Sequence, residues 1–260
     1  QTWRHITEGL PERSYFSRIK IRPGSNNELL AALGNGGLRK STDSGNSWFS
    51  VLTGRVDDVK YTPTGDTVFA VGSGIGFRRS IDGGVTFTTF GSGLPSGQRT
   101  HFDIAYSSPN IMYASVYASS SVSAYKSTNY GANWFQLVPS QDFLGSQAWY
   151  DFYCKVHPRN PDWVYIGTID IFRSTNGGTS FSNITFGYQG GNVHVDQHFL
   201  FFHPWDDNTL ISLNDGGVNR TINNGNSFSN LNTNLTLTQF YRIAASPFDP
   251  RRILGGTQDN

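Results

Sequence analysis

An all-β propeller of four-stranded antiparallel blades is what this sequence predicts, and three observations predict it. One octapeptide recurs five times in register. Each copy is flanked by short alternating apolar stretches with turn residues between them. No stretch carries helical periodicity.

The octapeptides are Ser41 to Trp48 (S-T-D-S-G-N-S-W), Ser80 to Phe87 (S-I-D-G-G-V-T-F), Ser127 to Trp134 (S-T-N-Y-G-A-N-W), Ser174 to Phe181 (S-T-N-G-G-T-S-F) and Thr221 to Phe228 (T-I-N-N-G-N-S-F). They start at residues 41, 80, 127, 174 and 221, spacings of 39, 47, 47 and 47. A fixed period of this size means radially or linearly stacked units. Between successive copies the chain has room for four strands, which we label A to D from the axis outward. Strand A ends at a proline corner, at Pro23, Pro63, Pro109, Pro158, Pro204 or Pro247. Strand B follows the corner, C leads into the octapeptide and D leaves it. Four-stranded sheets at this repeat length are propeller blades. The expectation is five complete blades plus part of a sixth, within residues 1–260, either as a single domain or as the N-terminal portion of a larger propeller. Thr2-Trp3 match the end of an octapeptide, so the chain is expected to enter as a D strand. The segments around Phe240 and Ile253 would supply strands A and B of the sixth blade.

Composition agrees. The 260 residues include 29 Gly, 19 Phe, 12 Tyr and 6 Trp, with only 15% charged residues. That suits many short aromatic strands and tight turns. A formal net charge of +1 argues against a nucleic-acid partner, which needs a concentrated basic face. No apolar run is long enough for a membrane-spanning helix. The one cysteine, Cys154, allows neither an intrachain disulfide nor a CxxC metal site. No cofactor is implied.

Within each octapeptide the third residue (Asp43, Asp82, Asn129, Asn176 or Asn223) can accept hydrogen bonds from main-chain N–H groups of its own turn. The fifth, always Gly, suits a positive φ. The terminal Trp or Phe is expected to pack between blades. These carboxylates and amides therefore read as turn staples, not catalysts. The octapeptides resemble the Asp-box, or BNR, repeat of sialidases, xyloglucanases and sortilin-type proteins, and the likeness runs along nearly the whole chain.

In this topology the A–B corners and octapeptides share one face. The D–A loops and B–C turns surround the channel mouth on the other, where binding residues are expected. The long loops 138–149 and 186–198 belong to the mouth. Four clusters fall there: His194-Val-Asp196-Gln-His198, Asn214-Asp215-Gly-Gly, Gln239-Phe-Tyr241, and Gly255-Gly-Thr-Gln258-Asp259-Asn260. Together they resemble bacterial sortilin-like surface proteins, also described as glycosyl hydrolase-like. That resemblance implies a secreted or cell-surface protein. The expected binding residues are Asp196, His198, Asp215, Tyr241, Gln258 and Asp259. Exposed aromatics expected on this face are Tyr117, Phe143, Trp149, Tyr150, Tyr188 and Tyr241. Tyr125, Tyr165 and Phe172 are expected in the core.

Three chemistries compete for these residues. On an extended strand His194, Asp196 and His198 share one side, a weak candidate for a divalent metal. Glycoside hydrolysis needs two carboxyl groups. The xyloglucanase pattern would put the first in the turn Leu33-Gly-Asn35-Gly-Gly, where Asn35 stands instead. The second could be Asp215 or Asp170, and Asp196 with Asp215 could form a different pair. A sialidase needs an arginine triad and an element that Phe16-Ser-Arg-Ile-Lys does not supply. The reading preferred is a non-catalytic binding or scaffold module for a glycan or protein at the channel mouth, with a further chain or subunit as a candidate to complete the sixth blade. The alternative is a glycoside hydrolase using Asp196 and Asp215.

Overall fold

The computed structural model describes residues 8–11, 15–233, 240–245 and 253–257. Five four-stranded antiparallel sheets follow one another along the chain, each in simple sequence order. The first holds β1 (Arg18–Ile21), β2 (Leu29–Ala32), β3 (Leu38–Ser41) and β4 (Phe49–Leu52). The second holds β5 (Asp58–Tyr61), β6 (Val68–Gly72), β7 (Gly76–Ser80) and β8 (Thr88–Thr89). The third holds β9 (Arg99–Ile104), β10 (Met112–Ala118), β11 (Ser121–Ser127) and β12 (Phe135–Leu137). The fourth holds β13 (Tyr153–Val156), β14 (Val164–Gly167), β15 (Ile171–Ser174) and β16 (Ser182–Asn183). The fifth holds β17 (Gln197–His203), β18 (Asp206–Asn214), β19 (Gly217–Thr221) and β20 (Ser229–Asn230). A two-stranded sheet of β21 (Phe240–Ala245) and β22 (Ile253–Thr257) comes last. The expected entry strand near Trp3 lies outside the described residues.

Every octapeptide forms the same hairpin between strands C and D. In the first, Ser41 Oγ donates to Asp43 Oδ1 (2.8 Å) and accepts from the Gly45 N–H (2.8 Å). Asp43 accepts from the Ser47 N–H at 2.9 Å and from its hydroxyl at 2.6 Å. The fifth-position glycines Gly45, Gly84, Gly131, Gly178 and Gly225 all have φ between 80° and 91°. Where Asn replaces Asp, Oδ1 keeps its acceptor role and the amide nitrogen donates to residue seven instead. Asn176 Nδ2 to Ser180 Oγ and Asn223 Nδ2 to Ser227 Oγ are both 2.9 Å. The substitution reverses one hydrogen bond and conserves the turn.

The core lies between blades. Phe77 of the second blade meets Phe102 and Trp134 of the third edge-on, at 5.4 and 5.3 Å. Phe143 meets Phe172 and Phe181 of the fourth blade at 5.4 and 5.1 Å. Tyr125, Tyr165 and Phe172 are buried. Phe143 and Tyr117, expected at the mouth surface, are also buried. The 138–149 loop turns inward at Phe143 to plug the gap between the third and fourth blades, because an aromatic there gains more from the core than from water. Two short 3-10 turns interrupt the mouth loops, at Gly145–Gln147 and Gly187–Gln189.

The inner strands carry charges that tie blade to blade. Asp58 Oδ2 accepts from the Phe102 N–H (3.3 Å), and Asp103 Oδ2 from the Val156 N–H (3.0 Å). Lys60 lies 3.5 Å from Asp58 and 3.6 Å from Asp103, and Lys155 3.2 Å from Asp103. Both carboxyls are held below the ordinary range: burial opposes ionisation, but the surrounding lysines outweigh it.

Candidate functional site

The channel-mouth face brings together groups from the third, fourth and fifth blades. The 3-10 turn Gly145–Gln147 sets Gln147, Trp149 and Tyr150 in a row. Arg99 holds this segment from beneath, donating to the carbonyls of Trp149 (3.2 Å) and Tyr150 (2.8 Å). Trp149 is 65% exposed and Tyr150 41%. The tight turn joining β18 to β19 presents Asp215, with Gly217 at φ 110°.

Asp215 accepts from His198 Nε2 at 2.5 Å and from the Tyr150 hydroxyl at 3.2 Å. The Tyr150 and His198 rings meet edge-on at 4.8 Å. Asp196 accepts from Gln147 Nε2 at 2.9 Å. Asp196 and Asp215 both act on Asp151. That residue is fully buried, and neither carboxyl oxygen has a hydrogen-bond partner. Burial, and then the charges of Asp196 and Asp215, push its carboxyl up to about 8. The neutral form of Asp151 is thus favoured far above the usual carboxylate range, with two acidic neighbours reinforcing burial.

The one-sided His194, Asp196, His198 row does not form. Asp196 sits at φ 66°, and β17 begins only at Gln197. The left-handed residue breaks the alternation. His194 turns away, lies on Gly216 and lines a separate hollow of about 400 Å³. Among the described residues no three His, Cys, Asp or Glu side chains converge as metal ligands. Asp170, the other carboxylate considered as a second catalytic acid, anchors a loop instead. It accepts from Asn183 Nδ2 (2.8 Å), Thr185 Oγ1 (2.9 Å) and the Gly187 N–H (2.8 Å). For Tyr241 the described structure is its place in β21; Gln258 and Asp259 lie outside the described residues.

Beside the acidic cluster a cleft of about 600 Å³ opens at the mouth of the first three blades. Tyr15, Asn35, Arg55, Asp57, Arg99 and Trp149 line it. Arg55 Nε bonds Asp57 Oδ1 at 2.7 Å, and Asp57 Oδ2 accepts from the Thr100 N–H at 3.1 Å. Sequence reasoning found Asn35 and Trp149 but not the cleft. Its walls come from residues more than a hundred positions apart, and only the closing of the blades brings them together.

No family model and no curated protein matches this sequence. Solved structures do match. An ancestral GH74 enzyme superposes with a TM-score of 0.70 at 17% identity, over 99% of this chain and 37% of its own. The GH74 xyloglucanase from Xanthomonas campestris gives 0.61 at 17% identity, over 80% of this chain and 36% of its own. An auxiliary nutrient binding protein from Bacteroides thetaiotaomicron gives 0.57 at 15% identity, over 83% and 56%. The chain is a β-propeller. It spans well under two thirds of the length of these structures, and at such identities the likeness is one of fold.

Proposed function

We propose that this protein is a secreted or cell-surface propeller of the Asp-box, sortilin-like kind. It acts as a non-catalytic binding or scaffold module for a glycan or protein at the channel mouth. The observation that carries this reading is the cleft beside Trp149. An exposed indole and the Tyr15 ring share it with two arginines, an aspartate and an amide. Flat aromatic faces with a few polar groups suit the C–H faces and hydroxyls of sugar rings. The secreted or surface location rests on composition and on the repeat's resemblance. A further subunit that continues the sheet of β21 and β22 fits the same reading.

A glycoside hydrolase is the second reading, favoured by one observation: the buried, unpartnered Asp151 carboxyl, pushed up to about 8, has two acidic neighbours. Unequal protonation of neighbouring carboxyls is what acid–base hydrolysis of a glycosidic bond uses. Two features weigh against it. Asp151 is fully buried, and Asp215 is already engaged by His198 and Tyr150.

A panel of plant and bacterial polysaccharides separates the two. Binding that Trp149→Ala abolishes, with no reducing ends released, supports the binding module. Reducing ends that appear with the wild type and vanish with Asp215→Asn would establish the hydrolase instead.

A further inference from the structure

On the octapeptide face, neighbouring blades are stitched by a repeated tie. The residue before each octapeptide is a cation. Lys40 Nζ donates to the Gly83 carbonyl (2.9 Å), Lys126 Nζ to that of Gly177 (3.1 Å) and Arg173 Nη1 to that of Asn224 (2.7 Å). Each acceptor is the fourth residue of the next octapeptide. By this rule Arg79 should reach the Tyr130 carbonyl. It does not. Its guanidinium lies 3.8 Å over the Phe90 ring and donates no hydrogen bond among the described residues, and its Nε is buried without a partner.

A second tie is missing at the same junction. On the B strands, the Tyr113 hydroxyl donates to the Pro161 carbonyl (2.9 Å) and the Tyr165 hydroxyl to that of Asn224 (3.1 Å). Pairing with the inner strands puts Phe69 at the equivalent place: Phe69 faces Lys60 as Tyr113 faces Asp103 and Tyr165 faces Lys155. Phe69 has no hydroxyl to donate; nor has Leu30, which faces Lys20 in the first blade, but there the Lys40 tie is intact. Where both ties are lost, a hollow of about 660 Å³ opens between the second and third blades. Its walls include Pro63, Phe69, Ile81, Phe90, Pro109 and Tyr130 beside three threonines and an asparagine, and among the described residues Arg79 is its one cation.

We infer that this inter-blade hollow is a binding site for a small aromatic carboxylate. Its size is that of an ordinary small-molecule pocket, with an aromatic and aliphatic wall, a few neutral polar side chains and one cation. The aromatic body would lie against the Phe69, Phe90 and Ile81 wall. The carboxylate would take the acceptor place that main-chain carbonyls fill at the other junctions. A guanidinium prefers a charged acceptor to a neutral one. The site is independent of the channel mouth.

The test uses calorimetry on the whole chain with 3-phenylpropionate and its uncharged twin 3-phenylpropionamide, plus methyl NMR of Ile81. Expected are saturable binding of the acid with a shifted Ile81 signal, and binding of the amide weaker by at least about tenfold. Arg79→Gln should bring the acid down to the affinity of the amide. Phe69→Tyr, which returns the missing hydroxyl, should also weaken binding while leaving the melting temperature equal or higher. Absence of saturable binding at millimolar acid, or equal affinity for acid and amide, would overturn the inference. So would wild-type affinity in the Phe69→Tyr chain.

Discussion

Asp151→Asn isolates the least compensated charge of the channel mouth. The wild-type carboxyl is fully buried, has no hydrogen-bond partner and titrates near 8, against an ordinary value of 3.8. Because the folded value is raised, the native state keeps a proton that the unfolded chain has released. Stability therefore falls as pH rises from about 4 and levels off above about 8. From pH 5 to 8 the loss is at most about 4 kcal/mol, at about 1.4 kcal/mol per pH unit. Relaxation and water entry around a buried carboxylate should leave roughly half of that. Asparagine has nearly the same shape and cannot ionise. At pH 5 the variant should match the wild type within about 1 kcal/mol, since the acid it replaces makes no hydrogen bond that the amide would lose. At pH 8 it should be the more stable by about 2 kcal/mol, or about 4–8 °C in melting temperature for a chain of this size. Thermal melts of both proteins at half-unit pH steps give the answer. Curves that stay parallel from pH 5 to 8 would refute the idea that Asp151 is buried as a neutral acid.

Two further substitutions probe the scaffold. Ser80→Ala removes the oxygen that accepts from the Gly84 N–H at 2.8 Å and donates to Asp82 at 2.6 Å. A loss of about 1–2 kcal/mol is expected by chemical denaturation, with Ser80→Thr recovering most of it because Thr221 fills the same place in the fifth octapeptide. Asp103→Ala leaves Lys60 and Lys155 without their shared carboxylate and strips the Val156 N–H of its acceptor. That should cost about 3–5 kcal/mol in a denaturant titration, and a loss below 1 kcal/mol would show the inner network to be dispensable.

The fold was legible because its signal is periodic. Five in-register octapeptides locate five C–D hairpins, and the proline corners locate the A–B turns. The hairpin chemistry followed too, since Ser41, Asp43, Gly45 and Ser47 act within one turn. What escaped is what depends on distant contacts or on one unusual backbone angle. The left-handed Asp196 breaks the alternation that would align His194 with His198 on an extended strand. Phe143 left the surface because the loop carrying it crosses a gap between blades. Asp151 carries no signal of its own in the sequence; its burial in the folded chain, and then the charges of Asp196 and Asp215, give it an unusual titration. The Asp58-x-Lys60 and His101-x-Asp103 pairs were a visible sign of the inner ionic network, since charged residues repeating at a strand's period of two seldom all face water.

Clusters of titratable groups occur on the octapeptides, along the inner strands and at the mouth, and compensation tells them apart. On the octapeptides each carboxylate is surrounded by donors from its own turn; Asp43 is held down to about 2 by its bonds to Ser47 and Ser41. Along the inner strands, Asp58 has Lys60, Arg18 and His101 within 3.5 Å. Burial, reinforced by Arg18, pushes His101 down to about 3, so that network keeps one charge state through the neutral range. Both clusters serve the fold. A repeat protein solves the same packing problem at every blade, so a place where one blade abandons the shared solution is informative. Arg79, which does not bond the carbonyl its counterparts reach, is such a departure, and Asp151, buried with no hydrogen-bond partner, is a second uncompensated group. They lie on opposite faces. Asp151 is buried next in sequence to Trp149 and Tyr150 at the channel mouth, and Arg79 lines a hollow at the junction where both ties are missing.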